Sequence, residues 1–234
     1  MESIKLPVFG YDRLRMGTDG DGVSTLVCST GCTLRCRLCL NPACWDGSAT
    51  HIREYTADEL YDKLKIDNLY FLSTNGGVTF GGGEPLLNSE FIREFILKYQ
   101  KTGWKFYLES SLNVPRENLS GVISLIDHFY IDVKDMDPLR YHEYTGGDFD
   151  VFYHNLNYLK DTVGADRITV KIPTIPYFHK ADEAKMSLSV LKELGFVNLY
   201  EFDYVDTFYH KKISEKANEN RHLIKDIPED SQRI

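Results

Sequence analysis

Residues 23–39 read Val23-Ser24-Thr25-Leu26-Val27-Cys28-Ser29-Thr30-Gly31-Cys32-Thr33-Leu34-Arg35-Cys36-Arg37-Leu38-Cys39. A short β-rich run, Val23 to Cys28, leads straight into a loop whose cysteines are spaced C-x3-C-x2-C. In a parallel α/β fold the chemistry gathers at the carboxyl ends of the strands, which is where such a loop would lie. Three thiolates are one short of the closed site that a structural zinc or a ferredoxin cluster normally has. On an iron–sulfur cubane they would leave one iron open to a small molecule.

Two plainer readings stay open at this point. Cys44 lies five residues beyond Cys39 and could close a four-cysteine zinc site, although zinc knuckles usually pair their cysteines as two separated C-x2-C units. The cysteines could also be inert. Disulfides fit poorly, because the cysteine count of five is odd and all five fall between Cys28 and Cys44. The stretch Met1 to Pro7 has no basic region and no long apolar segment, so no secretory signal is expected and the thiols should stay reduced in a cytoplasm.

Outward from this loop the chain alternates. Thr56 with Glu59 reads as the capping box of a helix. Gly77–Phe80 is a short strand, and Asn88–Tyr99 shows helical spacing at Phe91, Ile92, Phe95 and Ile96. Trp104–Leu108, Phe129–Val133 and Arg167–Ile172 read as strands. Ala184, Leu188, Leu191 and Leu194 keep helical spacing up to Gly195, where a helix-ending glycine belongs. Phe196–Tyr204 reads as the last strand.

Strands recur roughly every 25 to 35 residues with helices between them, the rhythm of βα units on a parallel sheet. About six units fit, too few for an eight-stranded barrel of about 250 residues. The expectation is one α/β domain, a partial (β/α)6 TIM-like barrel over residues 18–206. Residues 1–17 would be an N-terminal extension and 207–234 a charged tail.

The 234 residues with 42% hydrophobic content suffice for one sizeable core. No apolar run approaches the roughly 18 residues of a membrane span. A formal charge of -8 argues against a general nucleic-acid binder and is read mainly as solubility. A local basic patch, Arg35, Arg37 and Arg53, remains near the cysteine loop.

The strand-end rule brings further residues toward one mouth. They are Gly81-Gly82-Gly83-Glu84-Pro85, Glu109-Ser110-Ser111, Asp132-Val133-Lys134, Lys171-Ile172-Pro173 and Asp203-Tyr204-Val205-Asp206. The glycine run permits close backbone approach and positive φ, as either a ligand cradle or a plain turn. No Gly-Lys-Ser/Thr or GxGxxG pattern accompanies it, so neither a P-loop nor a dinucleotide site is expected.

The cysteine triad followed by Gly82-Gly83-Glu84-Pro85 resembles the radical S-adenosylmethionine superfamily. The likeness is closer to its glycyl-radical-enzyme activating enzymes, of the pyruvate formate-lyase activating type. Thr18-Asp19-Gly20-Asp21-Gly22 resembles their D-G-x-G leader, and Asn41-Pro42 and Trp45 follow the last cysteine as they do there. Gly77-Val78-Thr79, Asp132-Val133-Lys134 and Ile175-Pro176 are similar to further motifs. Departures are Ser24 and Cys28 where the leader has Arg and Phe, Pro176-Tyr177 for a P-G turn, and Val205 where a histidine often follows the tyrosine.

The resemblance implies a [4Fe–4S] cluster on Cys32, Cys36 and Cys39 and S-adenosylmethionine on its open iron. Gly82, Gly83 and Glu84 would meet the methionine amine, and Lys134 and Lys171 would balance the carboxylate. Leu38 and Leu40 would lie near the adenine, with Ser110 and Asp132 also at the cofactor. Glu109 and Asp132 would hold a monovalent cation, and Cys28 and Cys44 would not be ligands. The activity implied is hydrogen abstraction from a glycine of a partner glycyl radical enzyme, anaerobically, with flavodoxin or ferredoxin as electron donor. The alternatives are a radical enzyme for another peptide or a small molecule, and a non-catalytic metal-binding interaction domain.

Overall fold

The structure is a computed structural model describing residues 3–203, apart from 21, 46, 50, 176, 177, 180 and 181. Expectations that fall on Asp21, Pro176, Tyr177, Tyr204, Val205, Asp206 and the 207–234 tail lie outside the described residues.

Eight strands form one sheet: β1 Leu6–Met16, β2 Val23–Ser29, β3 Arg53–Tyr55, β4 Gly77–Gly82, β5 Lys105–Ser110, β6 His128–Asp132, β7 Ile168–Thr174 and β8 Asn198–Asp203. Their order is β3-β1-β2-β4-β5-β6-β7-β8. From β2 to β8 every neighbour is parallel, six strands in chain order, and the sheet does not close. The helices are α1 Ala57–Leu64, α2 Asn68–Thr74, α3 Ser89–Tyr99, α4 Arg116–Ser120, α5 Pro138–Thr145, α6 Phe149–Val163 and α7 Glu183–Glu193. The six-unit partial barrel expected from the alternation is therefore the fold, and the strands lie within a few residues of their expected bounds.

The local signals act as their chemistry requires. Thr56 and Glu59 form the reciprocal capping box of α1: Glu59 N donates to Thr56 Oγ1 at 3.3 Å and Thr56 N donates to Glu59 Oε2 at 2.9 Å. α3 buries Phe91, Ile92, Phe95 and Ile96, where Phe95 packs edge-on against Phe80 of β4 and Phe106 of β5. Gly195 follows α7 with φ +89°.

The N-terminal segment differs from its expected place outside the barrel. Leu6–Met16 is a strand paired antiparallel to β2 along most of its length, and its first residues also pair with β3. Leu6 and Val8 are buried in the main core. A second tie is electrostatic. Asp67, just ahead of α2 and nearly inaccessible, accepts both forks of the Arg13 guanidinium, with Nε at 2.9 Å, and the Thr25 hydroxyl at 2.9 Å. A buried carboxylate needs such partners, because desolvation without them costs several kcal/mol.

Candidate active site

At the carboxyl ends of the parallel strands lies a cavity of about 520 Å³. Its first wall is the cysteine loop. The loop backbone is fastened to the end of α5, with Arg35 N donating to Thr145 O at 2.7 Å and Arg37 N to Tyr144 O at 3.0 Å. Gly31 N donates to Cys44 O at 2.6 Å, closing the loop's far side. The Arg35 side chain turns back onto the Cys32 and Leu34 carbonyls and lies over Trp45. Arg37 pairs with Glu143 and lies over Phe178. These two arginines thus shape the loop, while Arg53 sits on edge strand β3.

Cys32, Cys36 and Cys39 all line the cavity with free, partly exposed thiols. Burial lifts Cys32 to about 12 and Cys36 to about 11. Cys39 is drawn down to about 6, chiefly because the Cys44 thiol donates to it, with help from the Asn41 N–H, the Lys134 charge and the Trp45 indole. Cys28 and Cys44 are buried; Cys44 serves Cys39 as donor, and burial raises Cys28 to about 12. Among the described residues no three His, Cys, Asp or Glu side chains gather as one metal ion would require.

The glycine run is the base on which this wall rests. Gly83 N donates to Ser29 O at 2.9 Å and Glu84 N to Gly31 O at 2.7 Å. A Cβ on Gly82, which has φ +95°, would lie 2.6 Å from Cys28 Cα, and one on Gly83 would lie 2.2 Å from Gly31 O. Backbone packs directly on backbone here, and only glycine allows it. Gly82 and Gly83 still border the cavity.

Glu84 departs from its expected place. Its side chain is fully buried and is not part of the cavity lining. Its carboxylate accepts from Ser110 Oγ at 2.8 Å, Ser111 N at 2.9 Å, Ser111 Oγ at 2.6 Å and Leu86 N at 3.2 Å. Burial outweighs these bonds and raises its pKa. Glu84 thus braces the Ser110-Ser111 turn from beneath.

The charged residues also pair differently from expectation. Lys134 Nζ lies 3.1 Å from Asp132 Oδ2. Burial opposes its charge, but Asp132 and the Cys36 thiol more than restore it, so its pKa is raised. Lys171 Nζ lies 2.5 Å from Glu109 Oε1 and sits over the Tyr130 ring. Glu109 and Asp132, expected to share a monovalent cation, each carry a lysine ammonium instead.

Leu38, Leu40 and Ser110 line the cavity. So do Asp12 and Arg15 of β1, Tyr144 of α5 and Phe202 of β8, which the sequence reading did not single out. Lining side chains thus include three acids, Asp12, Glu109 and Asp132, and three bases, Arg15, Lys134 and Lys171.

A sequence profile of the Radical SAM superfamily matches residues 26–188, from β2 into α7. This chain belongs to the Radical SAM superfamily. It is 34% identical over 145 residues to the 4-hydroxyphenylacetate decarboxylase activating enzyme of Clostridioides difficile strain 630, covering 62% of this chain and 46% of that protein. It is 27% identical over 247 residues to the indoleacetate decarboxylase activating enzyme of Tractidigestivibacter scatoligenes, covering 78% of each. The chain spans about half the length of the first of these relatives. In fold it is similar to Streptococcus suis SuiB bound to its precursor peptide SuiA, with TM-score 0.58 and 13% identity over 83% of this chain and 45% of that one. Radical SAM membership implies a [4Fe–4S] cluster and S-adenosylmethionine. The donor set fits: Cys32, Cys36 and Cys39 are free and partly exposed at the cavity beside the Lys134 ammonium, whereas Cys28 and Cys44, which also border it, are buried. No described helix is long and apolar enough to cross a membrane.

Proposed function

We propose that this chain is an activating enzyme that installs a glycyl radical in a partner enzyme. The observation that carries the reading is one cavity faced by Cys32, Cys36 and Cys39, the Gly82–Gly83 backbone and the Lys134–Asp132 pair. The named relatives support the choice of partner class. When bound, cluster and S-adenosylmethionine supply a 5′-deoxyadenosyl radical from one electron, releasing methionine, and this radical takes a hydrogen atom from the substrate.

The three cysteines hold the cluster as thiolates. Lys134, a compact cation kept charged by Asp132, would hold the cofactor carboxylate. Gly82 and Gly83 offer backbone groups to the amine, and Ser110, braced by Glu84, lies beside them. Leu38 and Leu40 would offer an apolar border to the adenine. Electrons would come from flavodoxin or ferredoxin in a cytoplasmic, anaerobic setting.

The test is anaerobic reconstitution followed by incubation with reductant, S-adenosylmethionine and each glycyl radical protein of the source genome. A glycine-centred doublet in electron paramagnetic resonance is the expected signal. Cys32→Ala, Cys36→Ala and Cys39→Ala should each lose iron, and Cys44→Ala should retain it. Cofactor cleavage with no partner radical would move the reading to another peptide or a small molecule.

A further inference from the structure

The cavity wall across from the cysteines carries a group that the proposed chemistry has not used. Asp12 and Arg15 of β1 both line the cavity although they are three residues apart. In a regular strand residues at i and i+3 point to opposite faces. The register explains the exception: Asp12 pairs with Leu26 and Arg15 with Ser24, so β1 spends one more residue than β2 across this interval. That is a β-bulge, and Leu14 within it has φ +57°, a left-handed conformation that a leucine rarely adopts. Bulges of this kind re-aim side chains, and an observed strained residue is a pointer to function. Here the strain keeps Arg15 on the inner face, while Arg13 goes to the outer one and binds Asp67.

The guanidinium is also held still. Arg15 Nε lies 2.8 Å from Asp19 Oδ1 and 3.1 Å from Thr18 Oγ1, and Asp12 stands at 3.6 Å. Asp19 is inaccessible to solvent and is itself fixed by the Ser24 and Thr18 hydroxyls. All these contacts engage Nε; among the described residues Nη1 and Nη2 have no hydrogen-bond acceptor. The Arg15 side chain is 17% exposed and borders the cavity.

We propose that Arg15 is the residue that seats the substrate peptide, its Nη groups donating to a backbone carbonyl of the segment presented to the radical. The proposal rests on the activating reading above. A neutral carbonyl suits the site better than a second carboxylate, because the Arg15 charge is already matched by Asp19 and Asp12. Access suits it too: beyond Val8 the outer edge of β1 pairs with no described strand, and Arg15 of β1 and Phe202 of β8 border the same cavity on the unclosed side of the sheet.

The experiment uses the reconstituted full chain with S-adenosylmethionine. The probes are short synthetic peptides carrying the dideuterated radical-site glycine of each glycyl radical protein in the source genome. Deuterium reaching 5′-deoxyadenosine with the unaltered protein upholds the activating reading, and its absence with every peptide overturns that reading. Given transfer, Arg15→Gln should raise the peptide KM about 10- to 150-fold, the scale of one charge-assisted hydrogen bond, with a smaller change in kcat. Arg15→Lys keeps an ion pair for Asp19, and so the fold, but lacks the planar fork; its peptide KM should rise in the same direction. Transfer with an unchanged peptide KM in both variants overturns the assignment of Arg15 and leaves the activating reading standing.

Discussion

Replacing Glu84 separates bracing from cofactor contact. Its buried carboxylate accepts four hydrogen bonds, two from serine hydroxyls and two from the backbone N–H groups of Leu86 and Ser111. In Glu84→Ala the hydroxyls can turn elsewhere but the N–H groups cannot. Each buried donor left unpaired costs about 1–3 kcal/mol, so two of them cost about 2–6 kcal/mol. Glu84→Gln keeps one acceptor oxygen and the volume, losing at most one backbone bond, about 1–3 kcal/mol.

The pH dependence has a definite sign. A carboxyl with a raised folded pKa gives its full stabilisation below the unfolded value and loses it as pH climbs through the folded one. The deficit of Glu84→Gln should therefore shrink as pH rises above the ordinary glutamate range, since Gln never ionises. The assay is urea unfolding of the cluster-free chain under argon at acidic and mildly alkaline pH, with cofactor affinity of the reconstituted protein measured beside it. An unaltered urea midpoint in Glu84→Ala, or lost cofactor affinity in a stable Glu84→Gln, would refute the bracing role.

Further expectations follow from the same site. Lys134→Ala should weaken S-adenosylmethionine binding about 10- to 150-fold by calorimetry on reconstituted protein, the scale of a charge-assisted hydrogen bond; undiminished affinity would place the carboxylate elsewhere. In the cluster-free chain at neutral pH, iodoacetamide should label Cys39, drawn to about 6, ahead of Cys32 and Cys36, held near 12 and 11. Equal labelling by peptide mass spectrometry would contradict the Cys44 donor. Gly77→Ala places a Cβ 2.0 Å from Lys105 O in the β4–β5 pair. It should cost at least about 3 kcal/mol in urea unfolding, the upper end of overpacking, because backbone cannot step aside.

The parallel core was legible because buried strands announce themselves as apolar, β-branched runs ending in glycine or charged clusters, as Val23–Cys28 and Phe129–Val133 do. β1 was not: two register shifts and residues such as Pro7, Gly10 and Arg13 break its alternation, and its pairing with β2 is antiparallel. α6 also escaped notice, although Asp148 caps it by accepting from Asp150 N and Val151 N. Its buried stripe is Phe152, Asn155, Leu156 and Leu159, and Asn155 reads as polar in sequence while its amide is satisfied by the Leu112 and Val114 carbonyls.

At the site, spacing located the cysteines, the glycines and Lys134. It could not say that Glu84 turns inward, because a motif fixes neighbours and not rotamers. Nor could it pair Lys171 with Glu109, which are 62 positions apart, or see that one extra residue in β1 rotates Arg15 into the cavity.

The three acids and three bases around the cavity bear on how molecules arrive there. The carboxylates of the lining are matched one for one by its ammonium and guanidinium groups, whereas the whole chain carries -8. A balanced cleft does not focus field lines, so it neither gathers nor repels a charged visitor over distances beyond a Debye length, about 8 Å at physiological ionic strength. Long-range attraction must then come from the charges outside the lining, which carry the chain's negative excess. Entry of a small cofactor should consequently slow little as salt is added, while encounter with a protein bearing a basic face should slow steeply.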